Sequence, residues 1–246
     1  MIAKSRAAAA QPDHIDLVLP LGLMLLAIAM SPWIGSLDVA VARHFYDADA
    51  RAWLVPSGRP PIWFALYRAP KAFLIVFAIC LVVAFCCSFR VPRLKPYRGG
   101  IVVMLIAMAL IPSLVSYLKH TTHMYCPYQS TLFGGKVPDS GLFALHVRPL
   151  PGVKPGRCWP AGHASGGFAM LALMVFAERQ RGRLRLLLAL PGLALGWTMG
   201  LFQMARGHHY LSHTLASLGI ALIAAAALEQ VLRAWERRPG RARRFD

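Results

Sequence analysis

The sequence predicts an all-α membrane protein, a polytopic helix bundle with about six transmembrane helices and both termini in the cytoplasm. Hydrophobic residues make up 57% of the chain, which is more apolar than an ordinary soluble domain. Six apolar runs approach the roughly 20 residues with which a helix crosses the hydrocarbon layer. Lys and Arg concentrate in short segments between these runs, as they do in the cytoplasmic loops of multi-pass proteins.

The apolar runs define the predicted spans. They cover residues 16–34, 72–89, 101–118, 161–177, 186–203 and 212–232. The first run follows a basic segment that resembles the start of a signal peptide. No clear cleavage site of small residues follows, so we interpret the run as a retained span. We expect one membrane-embedded domain over residues 1–246, with a cytoplasmic segment at 1–15 and a basic cytoplasmic tail at 234–246.

The distribution of basic residues also predicts the orientation. Segments 90–98 and 179–185 and the C-terminal tail are the densest in Lys and Arg, and short segments of this kind stay in the cytoplasm. Loops 35–71, 119–160 and 204–211 then face outside. We therefore expect a multi-pass protein of a bacterial inner membrane whose outer loops lie in the periplasm.

The formal net charge of +17 fits either a nucleic-acid-binding protein or a membrane protein with basic cytoplasmic loops. The apolar runs favour the second class, so we expect no nucleic acid partner. The basic tail would instead lie against anionic lipid headgroups. The sequence predicts no particular oligomeric state.

The outer loop 119–160 is a candidate functional segment. Its many Gly and Pro residues exclude a continuous helix, and a long structured loop is more often functional than not. Cys126 and Cys158 bracket this loop, and in an oxidising compartment they can form a disulfide. Such a closure would stabilise the fold by roughly 3–4 kcal/mol in the chain-entropy model. The alternative is two free thiols.

Three clusters of ionisable residues lie at the outer ends of predicted spans. They are "KHTTHMYCP" at 119–127, "CWPAGHASGG" at 158–167 and "ARGHHYLSH" at 205–213. If the spans bundle together, the clusters meet at one site. Taken alone, Lys119 fits an interfacial anchor and His163 an interfacial histidine. His209 and His213, four residues apart, can bind zinc or can pair a nucleophile with its orienting group.

Together the clusters resemble the type 2 phosphatidic acid phosphatase superfamily, which includes bacterial acid phosphatases and vanadium haloperoxidases. Its motifs read K-x6-R-P, P-S-G-H and S-R-x5-H-x3-D, and the resemblance covers roughly residues 100–235. The positions that match are Lys119, Pro127, Pro160, Gly162, His163 and His209. The positions that depart are Cys126 for the first arginine, Ala161 for the serine, Phe202 and Gln203 for the Ser-Arg pair, and His213 for the aspartate.

The resemblance implies a double displacement without a metal or another cofactor. His209 would attack phosphorus, His163 would protonate the leaving oxygen, and water would then hydrolyse the phosphohistidine. His213 would orient His209 as a neutral hydrogen-bond acceptor, although it supplies no negative charge. Lys119 and the backbone N–H groups around Gly162 would bind the phosphate.

Other residues can replace the missing phosphate ligands. Arg206 or Arg157 can supply a lost positive charge, and a disulfide at Cys158 would hold Arg157 near the phosphate. Ser165 can contact the phosphate in place of the missing serine. We expect both arginines to contribute to activity.

The function expected from the resemblance is hydrolysis of a phosphate monoester or pyrophosphate of a lipid at the outer face of the membrane. A phosphotransferase with the same site, in which a lipid hydroxyl replaces water, is an alternative. Two other classes also remain open, a non-catalytic family member and a metal-binding membrane protein. The metal site would use His120, His123, His208, His209 and His213. The sequence does not select among lipid phosphates.

Overall fold

The computed structural model describes residues 17–56, 61–138, 152–178 and 181–237. The helices are α1 (Val18–Ala29), α2 (Ile34–His44), α3 (Pro61–Trp63), α4 (Ala69–Cys87), α5 (Arg98–Thr122), α6 (Gly162–Phe168), α7 (Gly182–Ala205) and α8 (Leu211–Glu236). A π-helical turn, Phe64–Arg68, joins α3 to α4, and a 3-10 helix, Ala169–Phe176, continues α6. Two short strands, β1 (Tyr46–Asp47) and β2 (Ala52–Trp53), pair antiparallel.

The architecture is an all-α bundle with several helices that can span a membrane. Within the described part of the chain, four segments are long and apolar enough, namely Pro61–Cys87, Pro92–Gln129, Gly182–Ala205 and Leu211–Glu236. Helices α1 and α2 are bent by 80° and give a fifth span if they are counted together. The predicted run at 161–177 forms the shorter helix Gly162–Phe176. The count of six spans and the cytoplasmic location of the termini therefore stay predictions.

Parts of the predicted domain organisation fall outside the described residues. The N-terminal segment 1–15 is one such part, and most of the tail at 234–246 is another. The first residues of that tail belong to α8, which continues to Glu236.

Small residues let the helices pack backbone to backbone. A Cβ added at Gly22 of α1 would lie 3.0 Å from the carbonyl oxygen of Gly219 on α8. A Cβ at Gly167 of α6 would lie 2.4 Å from the backbone nitrogen of Gly196 on α7. Such approaches are typical of membrane helix pairs, where van der Waals packing replaces the hydrophobic effect. These contacts hold α1 against α8 and α6 against α7.

A buried cluster of charged side chains links α7 to α8. It lies at the end of the bundle opposite the connection between these two helices. The Arg185 guanidinium donates two hydrogen bonds to the Glu229 carboxylate, at 2.8 and 2.9 Å. The Arg233 Nε–H donates a third at 2.8 Å. Glu229 is 3% exposed, so its charge depends on these partners for compensation.

Glu229→Ala should destabilise the fold strongly because it leaves the buried Arg185 charge without its carboxylate. Loss of one member of a buried pair typically costs about 3–5 kcal/mol. Thermal unfolding of the detergent-purified protein checks this result. The matched control is Glu178→Ala, since Glu178 pairs with Arg181 on the surface. Equal unfolding temperatures for the two variants would contradict a stabilising role of the cluster.

Candidate active site

The three sequence clusters meet at one cavity of about 290 Å³. Its lining residues are Lys119, Cys126, Tyr128, Gln129, Pro155, Gly156, Arg157, His163, Gln203, His208 and His209. Each cluster comes from the end of a helix or from the segment next to it. Lys119 lies in the last turn of α5, and His163 is the second residue of α6. His208 and His209 lie in the short connection between α7 and α8.

A disulfide joins the first two clusters. Cys126 and Cys158 are bonded, with their Cα atoms 5.2 Å apart. The chain segments beside them also run close together, because the Cys158 N–H donates to the Met124 carbonyl at 3.0 Å. The Thr122 hydroxyl donates to the Trp159 carbonyl at 2.9 Å. These bonds place Arg157 in the cavity wall and hold the start of α6 beside the end of α5.

The connection between α7 and α8 is a tight turn built around Gly207. This glycine has a φ of 69°, a left-handed conformation that side chains rarely adopt. A Cβ at this position would also lie 2.2 Å from the Trp53 ring. The Tyr128 ring packs on His208, with centroids 5.0 Å apart. The aromatic rings of Trp53 and Tyr128 therefore cover the turn that carries His209.

His209 faces His213 through their Nδ1 atoms, which are 3.4 Å apart. His209 is 5% exposed and His213 is fully buried. Two facing nitrogens share one proton, and if His209 carries it on Nδ1, the His209 Nε2 keeps a free lone pair. In the alternative arrangement His213 carries the shared proton on its Nδ1, and His209 has its own proton on Nε2. Only the first arrangement leaves His209 nucleophilic.

Burial keeps His209 neutral. Desolvation, followed by the nearby His213 and Lys119, holds the pKa of His209 well below its usual range. A neutral imidazole is the form that can act as a nucleophile at pH 7. The site therefore favours the reactive protonation state before any ligand is bound.

His163 has two partners that the sequence did not reveal. The Gln203 amide nitrogen lies 3.1 Å from the His163 Nδ1, and the Tyr67 ring centroid lies 4.5 Å from that of His163. Tyr67 in turn stacks on Trp63 at 5.0 Å. Gln203 stands where the third motif has an arginine, so the sequence alone indicated only a missing ligand. Tyr67 lies outside all three motifs. The contacts leave the His163 Nε2 as its remaining polar atom for a substrate.

The remaining predicted substrate ligands are placed unequally. The Lys119 Nζ lies over the start of α6, 3.4 Å from where a Cβ on Gly162 would stand. The Arg206 guanidinium lies 5.6 Å from the Phe202 ring centroid, and Arg206 is not among the residues that line the cavity. Ser165 is fully buried and does not line it either, because its hydroxyl donates to the Gly162 carbonyl at 2.7 Å. Among the described residues, the Lys and Arg side chains that line the cavity are Lys119 and Arg157.

The described residues contain one group with ligand types for a metal, which is Cys158, His209 and His213. The Cys158 sulfur is committed to the disulfide, so it offers no thiolate to a metal. Two histidines remain, without the third protein ligand that zinc sites use. His120 and His123 do not line the cavity.

Comparison with known proteins gives one family. The family model of the PAP2 superfamily matches residues 100–237, which is more than half of the chain and includes all the residues that line the cavity. No curated protein and no solved structure matches the chain significantly. The resemblance seen in the three sequence motifs is thereby confirmed. The chain belongs to the PAP2 superfamily, which indicates phosphatase-type activity.

Proposed function

We propose that the protein is an integral membrane phosphatase that hydrolyses a phosphate monoester or pyrophosphate of a lipid through a phosphohistidine at His209. The observation that carries the proposal is the convergence of His209, His163 and Lys119 on one cavity. Membership of a phosphatase superfamily supports the reaction class. The apolar helices that meet at the cavity support a substrate held in the bilayer.

In the first half-reaction the substrate phosphate lies between Lys119 and Arg157, whose charges offset the charge that develops on its oxygens. The His209 Nε2 lone pair attacks phosphorus, and the bond from phosphorus to the leaving oxygen breaks. Burial and the charge of Lys119 lower the pKa of His163, and the negative charge of the bound phosphate opposes this effect, so His163 takes up a proton when the substrate binds. It then gives its Nε2 proton to the leaving oxygen and becomes neutral. The His209 Nδ1–H points at His213, which holds the ring in place.

The second half-reaction reverses the proton flow. A water molecule attacks the phosphohistidine, the bond from phosphorus to His209 breaks, and neutral His163 accepts a proton from the water. Inorganic phosphate leaves, and His163 is protonated again for the next cycle. If a lipid hydroxyl takes the place of the water, the same residues perform phosphotransfer.

Gln203 suits this proton transfer better than the arginine of the family motif does. An amide has a donor and an acceptor at its end, so it can donate to a neutral His163 Nδ1 or accept from a protonated one. An arginine can only donate, and its charge would oppose protonation of His163. Gln203 is 5% exposed, so its amide is held at the ring and away from solvent.

Membrane placement rests on exposed apolar surface and helix length. The side chains of α4 are largely exposed, and Ile75, Val76 and Ile79 are each more than half exposed, as expected for a lipid-facing helix. Helix α6 with its 3-10 continuation is roughly 26 Å long from the rise of the two helix types. That length is close to the hydrocarbon thickness of about 30 Å. We propose six crossings, with the cavity at the periplasmic face of a bacterial inner membrane.

His209→Ala and His163→Ala should abolish phosphate release from lipid phosphates. We expect a loss of about 1,000-fold or more for His209, because no other nucleophile replaces it. The assay is phosphate release from a panel of lipid phosphates by detergent-purified protein, with and without EDTA. EDTA should have no effect, and His120→Ala, outside the cavity wall, is the matched control. No release from any lipid, or release that survives both substitutions, would overturn the proposal.

Arg157→Ala should lower kcat/KM more than Arg206→Ala does, because Arg157 lines the cavity and Arg206 packs on Phe202. Loss of one charge that stabilises the transition state typically costs about 10²–10³-fold. Steady-state kinetics of the two variants on one lipid phosphate give the comparison. A larger loss in Arg206→Ala would show that Arg206 reaches the phosphate instead.

Gln203→Met should lower kcat while leaving KM nearly unchanged, since it removes the partner of His163 without changing the cations of the cavity. We expect a loss of about tenfold, which is smaller than the roughly 10²–10⁴-fold that general acid–base catalysis contributes as a whole. The pH dependence of kcat should change as well, because the amide partners both protonation states of His163. A variant with the wild-type kcat and pH profile would exclude this role.

A further inference from the structure

Asp38 is a buried carboxylate outside the region that matches the family. It lies on α2, is 3% exposed, and precedes the matched residues 100–237. Its hydrogen-bond partners lie at the start of α8. The Asp38 Oδ1 accepts from the Ser212 N–H at 2.8 Å, and the Oδ2 accepts from the Ser212 hydroxyl at 2.5 Å.

These bonds make Asp38 the cap of α8. The first N–H groups of a helix have no partner within the helix, and the side chain of Tyr210, at the N-cap position, does not cap α8. Asp38 supplies the missing acceptor from another helix. Its negative charge also faces the positive end of the α8 dipole, which is a favourable arrangement. The start of α8 therefore depends on α2.

The first turn of α8 contacts both His209 and the segment that leads into α6, the helix that carries His163. His213 directly follows Ser212, and its Nδ1 faces the His209 Nδ1 at 3.4 Å. The His213 carbonyl accepts from the Ala161 N–H at 3.0 Å, two residues before His163. A displacement of this turn would move His213 relative to His209 and would also move the start of α6.

Charge gives Asp38 a second role at this end of the bundle. Formation of phosphohistidine places positive charge on the His209 ring, and the positive end of α8 beside it opposes that charge. The aspartate of the family motif is His213 here, so it supplies no negative charge. Among the described residues, the buried acidic side chains are Asp38 and Glu229. Glu229 lies near the other end of α8.

We propose that Asp38 is a positioning residue for the reaction at His209. Through Ser212 it fixes the first turn of α8, and thus His213 against His209. Its charge offsets the helix end when His209 becomes positive. This role rests on the proposed function, since it concerns the same nucleophile. Asp38 thereby takes over part of the role of the aspartate that is missing from the third motif, although it lies on α2, outside the residues that match the family.

Asp38→Asn separates the charge from the cap. Asparagine caps helices about as well as aspartate, so the fold should persist while the charge is lost. We expect kcat on a lipid phosphate to fall tenfold or more, with KM within about twofold and the unfolding temperature within a few degrees of wild type. The matched control is Asp47→Asn. Asp47 is exposed and accepts only from the local Asp49 and Ala50 N–H groups, so kcat should not change.

An unchanged kcat in folded Asp38→Asn overturns the role of the charge, and an unchanged kcat in folded Asp38→Ala, which also removes the acceptor of Ser212, overturns the positioning role. If Asp38→Asn does not fold, Asp38→Ser, a second neutral cap, is measured in its place. If neither variant folds, Asp38 serves stability alone and the proposal is also overturned.

A readout independent of activity separates this proposal from the proposed function. In protein labelled with ¹³C at histidine Cε1, the His209 resonance is assigned by its loss in His209→Ala. Asp38→Ala removes the acceptor that holds Ser212, so it should change the environment of His209 and shift its Cε1 resonance at pH 7, whereas Asp47→Asn should leave that resonance in place. An unchanged His209 resonance in folded Asp38→Ala overturns the positioning role of Asp38. Absence of phosphate release from the wild-type protein overturns the proposed function instead.

Discussion

The contact between His209 and His213 is the interaction on which the rest of the site depends. Their Nδ1 atoms lie 3.4 Å apart, and the neutral state of His209 follows from the burial of the pair. Several independent parts of the chain meet there. The turn at Gly207 presents His209, the first turn of α8 presents His213, and the disulfide brings Cys158 against both rings. A nucleophile held in this way needs no reorganisation before it attacks, which is how preorganised sites lower a barrier.

The bundle provides the rigid frame that such a site requires. Backbone contacts at Gly167 and Gly196 lock α6 onto α7, and the ion cluster of Glu229 joins α7 to α8 at the far end. The cavity itself lies between helix ends and loops, where backbone N–H groups and ionisable side chains can face a ligand. Stability and chemistry are therefore concentrated at opposite ends of the same two helices.

Local sequence patterns were sufficient to predict several of the helices and part of the site. The apolar runs at 101–118, 186–203 and 212–232 correspond to α5, α7 and α8, because a long apolar helix needs little more than its own composition. The motifs also predicted that Lys119 and His163 lie in one site, since each motif is a local feature of a helix end. The run at 161–177 differed, because its second half winds as a 3-10 helix packed on α7.

Contacts between distant residues were beyond sequence reasoning. Asp38 and Ser212 are 174 positions apart, and no local pattern links them. Gln203 looked like a lost ligand in the motif but contacts His163 in the fold. Ser165 looked like a replacement ligand, whereas a helical serine readily bonds the carbonyl of the preceding turn.

The most direct test of the central claim is to trap the covalent intermediate. Protein mixed briefly with a lipid carrying a radiolabelled phosphate is quenched in alkali, and the labelled residue is identified. We expect a label that is stable to base, labile to acid and absent from His209→Ala. A wild-type protein that hydrolyses the lipid without acquiring this label, or a label that persists in His209→Ala, would contradict nucleophilic attack by His209.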